Sequence, residues 1–360
     1  MIIKNIKINN FRNITKMEIN PGPKMNLIFG ENGQGKTNVL EAIWLFCGAK
    51  SFRQAKDKEM LMFNKNVCKN FCVFESENIQ KNSAIIIDEK RKAEFLNKPV
   101  RPSSLAKDFH TVVFSPQDLN LISGSGEKRR RFLNLAISSI TPKYIEYLRE
   151  YNRILLQRNT LLKQISEKKS SVGLLEPFEI KMAEVSQKIV YYRSKYCEKL
   201  EKEAQKLYFG ISNNKEKLTL EYISDFNKNT TKEEIFLSLK NSRNNDILNK
   251  NTSIGPKKDD ILVLINEKSA KSYGSQGQKR SAALCLKLAE AEIMKNAVNE
   301  NPVALLDDCL SELDINRQHF ILNHLTDWQV FLTACDPANI NILKSGTVFK
   351  IEKGELCTYT

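Results

Sequence analysis

Gly30-Glu31-Asn32-Gly33-Gln34-Gly35-Lys36-Thr37 fits the pattern G-x-x-x-x-G-K-[ST], a glycine-rich turn that wraps phosphate. Ahead of it, Met25-Asn26-Leu27-Ile28-Phe29 is short and apolar enough for a buried strand. Behind it, Asn38-Val39-Leu40-Glu41-Ala42-Ile43-Trp44-Leu45 reads as a helix. Strand, glycine turn and helix form the context that the motif requires. Gly30, Gly33 and Gly35 let the backbone turn tightly and bring its N–H groups onto phosphate oxygens. The helix start adds partial positive charge and free donors. Lys36 can reach the β- and γ-phosphates, and the Thr37 hydroxyl can ligate Mg²⁺. A nucleoside triphosphate site over Gly30, Glu31, Asn32, Gly33, Gln34, Gly35, Lys36 and Thr37 follows.

The matching half lies near the other end of the chain. Ser275-Gln276-Gly277-Gln278 opens a helix over 279–295, with Ala283, Leu286, Ala289 and Ile293 on one side. Pro302-Val303-Ala304-Leu305-Leu306-Asp307-Asp308 is an apolar strand ending in carboxylates. After a P-loop this is the Walker B arrangement, with Asp307 in the Mg²⁺ shell and Asp308 placed to orient the attacking water. Ser311-Glu312-Leu313-Asp314 comes next, and Gln329 to Thr333 is another buried strand. The helix start at Ser275, Gly277 and Gln278 is a second anion site. Since Lys36 and Thr37 already hold one nucleotide, it makes most sense if it serves a nucleotide of a second copy.

With 360 residues the chain holds two or three core-forming units. Hydrophobic residues at 41% and charged residues at 27% describe a soluble protein. No apolar run is long enough to span a bilayer, and Met1-Ile2-Ile3-Lys4-Asn5 does not open a signal peptide. A cytoplasmic protein with no membrane partner is expected. Lys and Arg number 56 against 42 Asp and Glu, a net +14 that suits either plain solubility or a polyanionic partner. Of the eight cysteines no two form a CxxC. Cys47, Cys285, Cys309 and Cys335 are expected reduced and buried.

In chain order, alternating Ile6 and Ile8 predict a first strand that ends at Phe11-Arg12-Asn13, and Met17-Glu18-Ile19 a second. Residues 51–70 look irregular. Phe71–Phe74, Ala84–Ile87 and Thr111–Phe114 are strands, the last ending in the turn Ser115-Pro116-Gln117-Asp118 with an exposed glutamine. Ser123-Gly124-Ser125-Gly126 is a loop before a helix from Glu127. From Tyr144 the period turns helical: Tyr144, Leu148, Tyr151, Leu155, Leu162 and Ile165 share a stripe, with Arg158 in one apolar slot. A break at 168–173 precedes a second stripe of Met182, Val185, Ile189, Tyr192 and Tyr196. The pair predicts an antiparallel helical hairpin inserted like an arm. Beside the second stripe Lys181, Lys188, Lys195 and Lys202 recur every seven residues, as a solvated face or a phosphate-tracking one. Residues 213–251 read as loop-heavy, with a strand near Leu218-Thr219-Leu220.

These pieces in this order resemble the ABC-type ATPases. Ser275-x-Gly277-Gln278 is similar to their signature and Ser311-x-Leu313-Asp314 to their D-loop. Asn10-Phe11-Arg12-Asn13 and the helical arm point to the SMC-like branch, and within it to the RecF family. Phe114 to Leu119, Arg130-Arg131-Phe132-Leu133 and Tyr273 to Arg280 carry that resemblance too. It implies an α/β fold: an ABC-type P-loop head from 1–122 and 208–360 with an inserted antiparallel helical arm at 123–207. It implies ATP with Mg²⁺, Arg12 as a further nucleotide contact, and Gln117 at the metal and the catalytic site beside Asp308. It also implies a homodimer formed on ATP, binding to gapped or junction DNA, and action with RecO and RecR in loading RecA.

There are departures. Gly255-Pro256-Lys257-Lys258-Asp259-Asp260 lacks the histidine of the family's G-P-H-R-D-D stretch. Asp308 stands where most ABC ATPases carry Glu, which implies slow hydrolysis, and Thr333 stands near the place of a switch histidine. The alternatives from other classes are the ATP-binding subunit of a membrane transporter and a DNA scaffold that binds ATP without turnover.

Overall fold

The middle of the strand Ile2–Phe11 alternates between two media: Ile6 and Ile8 are buried, while Lys7 is exposed. That two-residue period makes a sheet with one dry face. The computed structural model describes residues 1–310, 313–335 and 346–357. Their elements begin with β1 (Ile2–Phe11), β2 (Ile14–Ile19), β3 (Met25–Phe29), α1 (Lys36–Trp44), β4 (Cys68–Ser76), β5 (Ile79–Ile87), β6 (Arg91–Phe95), β7 (Lys98–Val100) and β8 (Thr111–Phe114). There follow α2 (Asn120–Ser123), α3 (Gly126–Ile140), α4 (Pro142–Ser166), α5 (Glu176–Ile211), β9 (Leu218–Ile223), α6 (Lys232–Asn241) and α7 (Arg243–Asn249). Then come β10 (Asp260–Ile265), β11 (Lys268–Ser269), α8 (Ala270–Tyr273) and α9 (Gln276–Val298). Last are β12 (Val303–Asp307), α10 (Ile315–His324), β13 (Val330–Ala334), β14 (Thr347–Glu352) and β15 (Glu355–Cys357).

The chain forms two compact units, 1–119 with 283–360 and 120–282. The first holds two sheets. One is antiparallel in the order β2-β1-β4-β5-β6-β7. The other, β15-β14-β3-β13-β12-β8, is parallel apart from the hairpin strand β15. Helix α1 packs against β1, β12 and β13. Its Val39, Leu40 and Ile43 join Ile6, Ile8, Leu305 and Phe331 in one core. A helix covered on more than one side buries apolar residues all round, and Val39, Leu40, Ala42, Ile43 and Trp44 in its second half are all buried. Register fixes the functional edge: Ala334 lies beside Phe29, Asp307 beside Thr333, and Leu306 beside Phe114. Four parallel strands therefore end together, and open parallel sheets bind ligands at that edge.

In the second unit the stripes of α4 and α5 face each other, with α6 and β9 also packed on α5. That packing moves the boundary. The expected arm at 123–207 is the core of a larger unit, because β9 and α6 have their apolar side chains Leu218, Ile235 and Leu239 buried within it. The stretch 213–251 is less loop-heavy than expected: β9 stands where a strand was read, α6 and α7 occupy most of 232–249, and α6 opens on a Thr231/Glu234 capping box. The loop expected at 123–126 is shorter, since α2 ends at Ser123 and α3 starts at Gly126.

Arg158, in its apolar slot, is fully buried in a charged junction. It donates to Glu179 of α5 at 2.9 Å, Asp246 of α7 at 2.7 Å and Thr252 at 2.8 Å. Arg243 holds the other Glu179 oxygen at 2.5 Å. The Gly255–Asp260 stretch is built in likewise. Asp259 accepts from Arg193 and Tyr222, each at 2.5 Å, and from Ser224 at 2.6 Å. Asp260 takes a two-pronged bond from Arg129, at 2.6 and 2.8 Å. Lys257, in the missing histidine's place, donates to Asn251 at 2.8 Å, and burial lowers its pKa. Lys181, Lys188, Lys195 and Lys202 are all exposed, but Lys181 pairs with Glu184 at 2.9 Å and Lys195 with Glu198 at 3.6 Å. Half of the row is thus matched by carboxylates, which favours a solvated face.

Candidate nucleotide site

The loop after β3 is held open by close neighbours. A Cβ on Gly30 would lie 2.3 Å from the Ile351 carbonyl oxygen. One on Gly35, where φ is +115°, would lie 2.8 Å from Asn13 Oδ1. Neither position accepts a side chain. Gln34 fastens the far side, accepting the Lys353 N–H at 2.5 Å and the Gly354 N–H at 3.0 Å. Lys36 Nζ lies inside the loop, donating to the carbonyls of Gly30 at 2.6 Å and Glu31 at 2.9 Å, and to Cys335 Sγ at 3.5 Å. The thiol donates in turn to Asn32 Oδ1 at 3.0 Å.

The second group stands on β12. Thr37 Oγ1 donates to Asp307 Oδ1 at 2.7 Å, and Thr333 Oγ1 to the same oxygen at 3.1 Å. Burial pushes the Asp307 carboxyl above its ordinary pKa, against the two hydroxyls that pull it down. Asp308 breaks the strand with a left-handed φ of 48°, a conformation that aspartate tolerates better than most residues. Its N–H donates to Thr333 Oγ1 at 2.9 Å. Gln117 is exposed on the 3-10 turn Pro116–Leu119, just past the end of β8. The topology thus brings Gln117 to the same sheet edge as Asp307 and Asp308.

Other expected residues sit differently. Arg12 does not reach the phosphate loop: it clamps Glu41 of α1, through Nε at 2.8 Å and Nη2 at 3.1 Å. Its neighbour Asn13, not singled out as a ligand from sequence, reaches that loop instead. It donates to the Gly33 carbonyl at 3.2 Å and accepts from Asn38 at 2.8 Å. In the second unit, Ser275 Oγ accepts the Gln278 N–H at 3.2 Å and Gln278 Oε1 accepts the Ser275 N–H at 2.8 Å. The donors expected free for a phosphate are thus partly closed by a capping box. Gly277 is half-buried beside them, and Gln278 Nε2 holds Glu216 at 2.7 Å. Cys285 is buried as expected; Cys47 and Cys309 are half-buried, and Cys335, at a strand end, is exposed. Ser311 and Glu312 lie outside the described residues.

The donor set suits a magnesium nucleotide. A cradle that excludes Cβ atoms, one ammonium, one hydroxyl and one buried carboxylate supply backbone donors for phosphate and hard oxygens for Mg²⁺.

The family model RecF/RecN/SMC N terminal domain matches residues 2–354. DNA replication and repair protein RecF of Clostridioides difficile is 36% identical over 366 residues, 99% of this chain and 98% of that protein. RecF of Bacillus subtilis is 36% identical over 375 residues, covering 99% of this chain and all of that protein, 100%. A solved structure of the recombination mediator protein RecF with ATP, in the RecFOR pathway, superposes with a TM-score of 0.93. It shares 35% identity, over 100% of this chain and 98% of its own. A Pyrococcus furiosus Smc head with an extended coiled coil matches at a TM-score of 0.56 and 14% identity, over 100% of this chain and 96% of that one. That second likeness shows the head fold alone. A phosphate cradle on a parallel sheet, a carboxylate strand facing it and full-length likeness to RecF place this chain in the RecF family of SMC-type ATPase heads.

Proposed function

We propose that the chain is an ATP-controlled DNA-binding protein of replication and recombinational repair. It dimerises on ATP, prefers gapped or junction DNA, and works with RecO and RecR to help load RecA. The observation that carries this is the intact cradle, with Lys36, Thr37 and Asp307 gathered, in a chain that matches ATP-bound RecF along its length. No helix among the described residues is long and apolar enough to cross a membrane.

Lys36, now on the loop carbonyls, is the group that turns to the β- and γ-phosphates. Thr37 and Asp307 would hold the metal, and Asp307 would have to be ionised to do so. Bound Mg²⁺–ATP supplies the phosphate charge around which two heads close. Asp308 orients a water or takes its proton, and Gln117 reaches the same place from β8. Turnover is slow, because the aspartate carboxylate reaches less far than a glutamate, and it resets the clamp.

Fluorescence anisotropy on duplex, single-stranded and gapped DNA, with ATP, with ADP and without nucleotide, tests the reading. Gapped DNA should bind tightest, and only with ATP. Lys36→Ala should abolish the ATP effect. Binding that ignores nucleotide, or a Lys36→Ala protein with the full ATP response, overturns it.

A further inference from the structure

The Asn10–Asn13 turn does more than join β1 to β2. Arg12 N–H donates to the Met60 carbonyl and Met62 N–H to the Asn10 carbonyl, both at 2.9 Å. Phe11 bridges to Leu61, and Arg12 Nη1 reaches the Glu59 carbonyl at 3.2 Å. The Thr15 hydroxyl contacts Met62 Sδ at 3.7 Å. Residues 59–62 are therefore fixed alongside the turn.

The segment then closes on itself. Lys65 N–H donates to the Met62 carbonyl at 3.0 Å, and Asn64 has a φ of 60°. A four-residue turn with left-handed asparagine third has the form of a type II turn. Phe63 is its corner. It is 87% exposed, the most of any large hydrophobic side chain among the described residues. Nothing in turn geometry calls for an aromatic there, and glycine, proline or a polar residue would serve the backbone better.

The surroundings are cationic. Lys65 belongs to the turn. Lys16 and Lys69 are the register partners of Asn9 from its two sides, so they share one face of the sheet. All three lysines are exposed, and none makes an ion pair among the described residues. The nearest carboxylate along β2, Glu18, is held by Lys7 at 3.2 Å and Asn5 at 2.8 Å. Unpaired strands are bound by such a combination, because bases stack on aromatic rings while lysines follow the phosphates. A second protein surface would leave Lys65 and Lys69 without counter-charges unless it were acidic, and Lys16 with only its longer-range attraction to Glu18. The same turn touches the phosphate loop through Asn13 on Gly33, and it holds the helix that follows the loop through Arg12 on Glu41. It thereby links the nucleotide site to the aromatic corner.

We propose that the Met62–Lys65 turn is a contact for the unpaired strand of a DNA junction, with Phe63 stacked on a base and Lys16, Lys65 and Lys69 on its phosphates. This rests on the DNA-binding reading above and adds the element that selects single strand over duplex.

The test compares wild type, Phe63→Ala and Phe63→Trp with ATP present. The probes are labelled oligothymidylate, a blunt duplex, and a gapped duplex carrying 2-aminopurine in the gap. Phe63→Ala should weaken the oligothymidylate and the gapped probe about tenfold and leave the blunt duplex within about twofold. Phe63→Trp should restore binding. 2-Aminopurine should be quenched by wild type and by the Trp variant but not by the Ala variant. Replacing Lys16 and Lys69 by Gln should lower the slope of log affinity against log salt by about one to two on the oligothymidylate. Three results overturn the proposal: no change in Phe63→Ala, an equal loss on all three probes, or a loss confined to ATP-driven dimerisation, which would assign the turn to a second copy. A wild-type protein that binds none of the probes removes the DNA reading itself, and this inference with it.

Discussion

Asp307 and Asp308 are neighbours with different surroundings. Asp307 is buried and bonded to two hydroxyls, which fixes its carboxylate beside Thr37. Asp308 is half-buried, and its left-handed backbone takes it out of the strand. Strained conformations persist at such sites where the surrounding structure holds them, here by the bond from Asp308 N–H to Thr333. The division of labour can be measured. Asp308→Asn keeps the volume and leaves Lys36, Thr37 and Asp307 in place, so ATP should bind nearly as before. Hydrolysis should fall by roughly two to four powers of ten, the usual worth of a general base. The variant should remain on DNA with ATP, and a chase of labelled DNA with unlabelled competitor reads that lifetime. Wild-type hydrolysis and release in Asp308→Asn would return Asp308 to a strand-end role and favour a scaffold without turnover.

Among the elements, α4 shows what patterning reveals and what it hides. Its apolar stripe was legible in part: Tyr144, Tyr151, Leu162 and Ile165 are buried, but Leu148 and Leu155 are half-buried and Ile154 and Leu161 are buried beside them. Arg158 was legible only as an exception. Its three acceptors come from α5, α7 and the segment after α7, and no local signal reports partners so far along the chain. The charge locks three segments into one arrangement. Arg158→Leu strips buried Asp246 of its cation and should cost about 3–5 kcal/mol in urea denaturation. A cost below about 1 kcal/mol would mean that Arg243, Ser242 and water already balance those carboxylates. Asp260 gives a pH signature. Burial raises its carboxyl, but Arg129 and the Ile261 N–H outweigh this and hold it below the ordinary aspartate value. A depressed folded pKa adds stability above the unfolded value, about 3.9, and that stability is lost as the pH falls through the folded value. Asp260→Asn should therefore cost about 1 kcal/mol at neutral pH, with the difference shrinking below about pH 4. A pH-independent difference would assign the loss to packing. The P-loop and the strand ends were readable because their chemistry is local and their spacing fixed. α6 and α7 were missed because they are short and sit among lysines and asparagines; the Thr231 and Glu234 cap and the i, i+4 pair of Ile235 and Leu239 were the local signals. The clamp of Arg12 on Glu41 was hidden for a like reason, since carboxylates in a helix give no sign of which cation they meet.

At the scale of the whole molecule, the two helix starts proposed to meet phosphate lie in different compact units. The first unit holds Lys36, Thr37 and Asp307, the set proposed above for one nucleotide. The second holds Ser275, exposed at the start of α9. Its capping box with Gln278 closes the helix by itself, so the cap serves the free chain, and the hydroxyl would have to change partner to take an anion. A second site of this kind has a use if it meets the nucleotide of another copy. Dimerisation is then the reading of ATP by two chains at once, and neither site works alone. Ser275→Arg separates the two roles. Loss of the cap costs about 1 kcal/mol, too little to unfold a helix buried as deeply as α9. The bulky cation would still obstruct whatever approaches the helix start. ATP binding to the monomer should stay within about twofold of wild type, since the first unit is untouched. Sedimentation with ATP should show monomer where wild type shows dimer, and ATP-dependent binding to gapped DNA should fall with it. A large loss of monomer ATP affinity would mean that Ser275 serves the nucleotide of its own chain. In that case the closed form would need no second copy, and the clamp would have to be rebuilt around a single head.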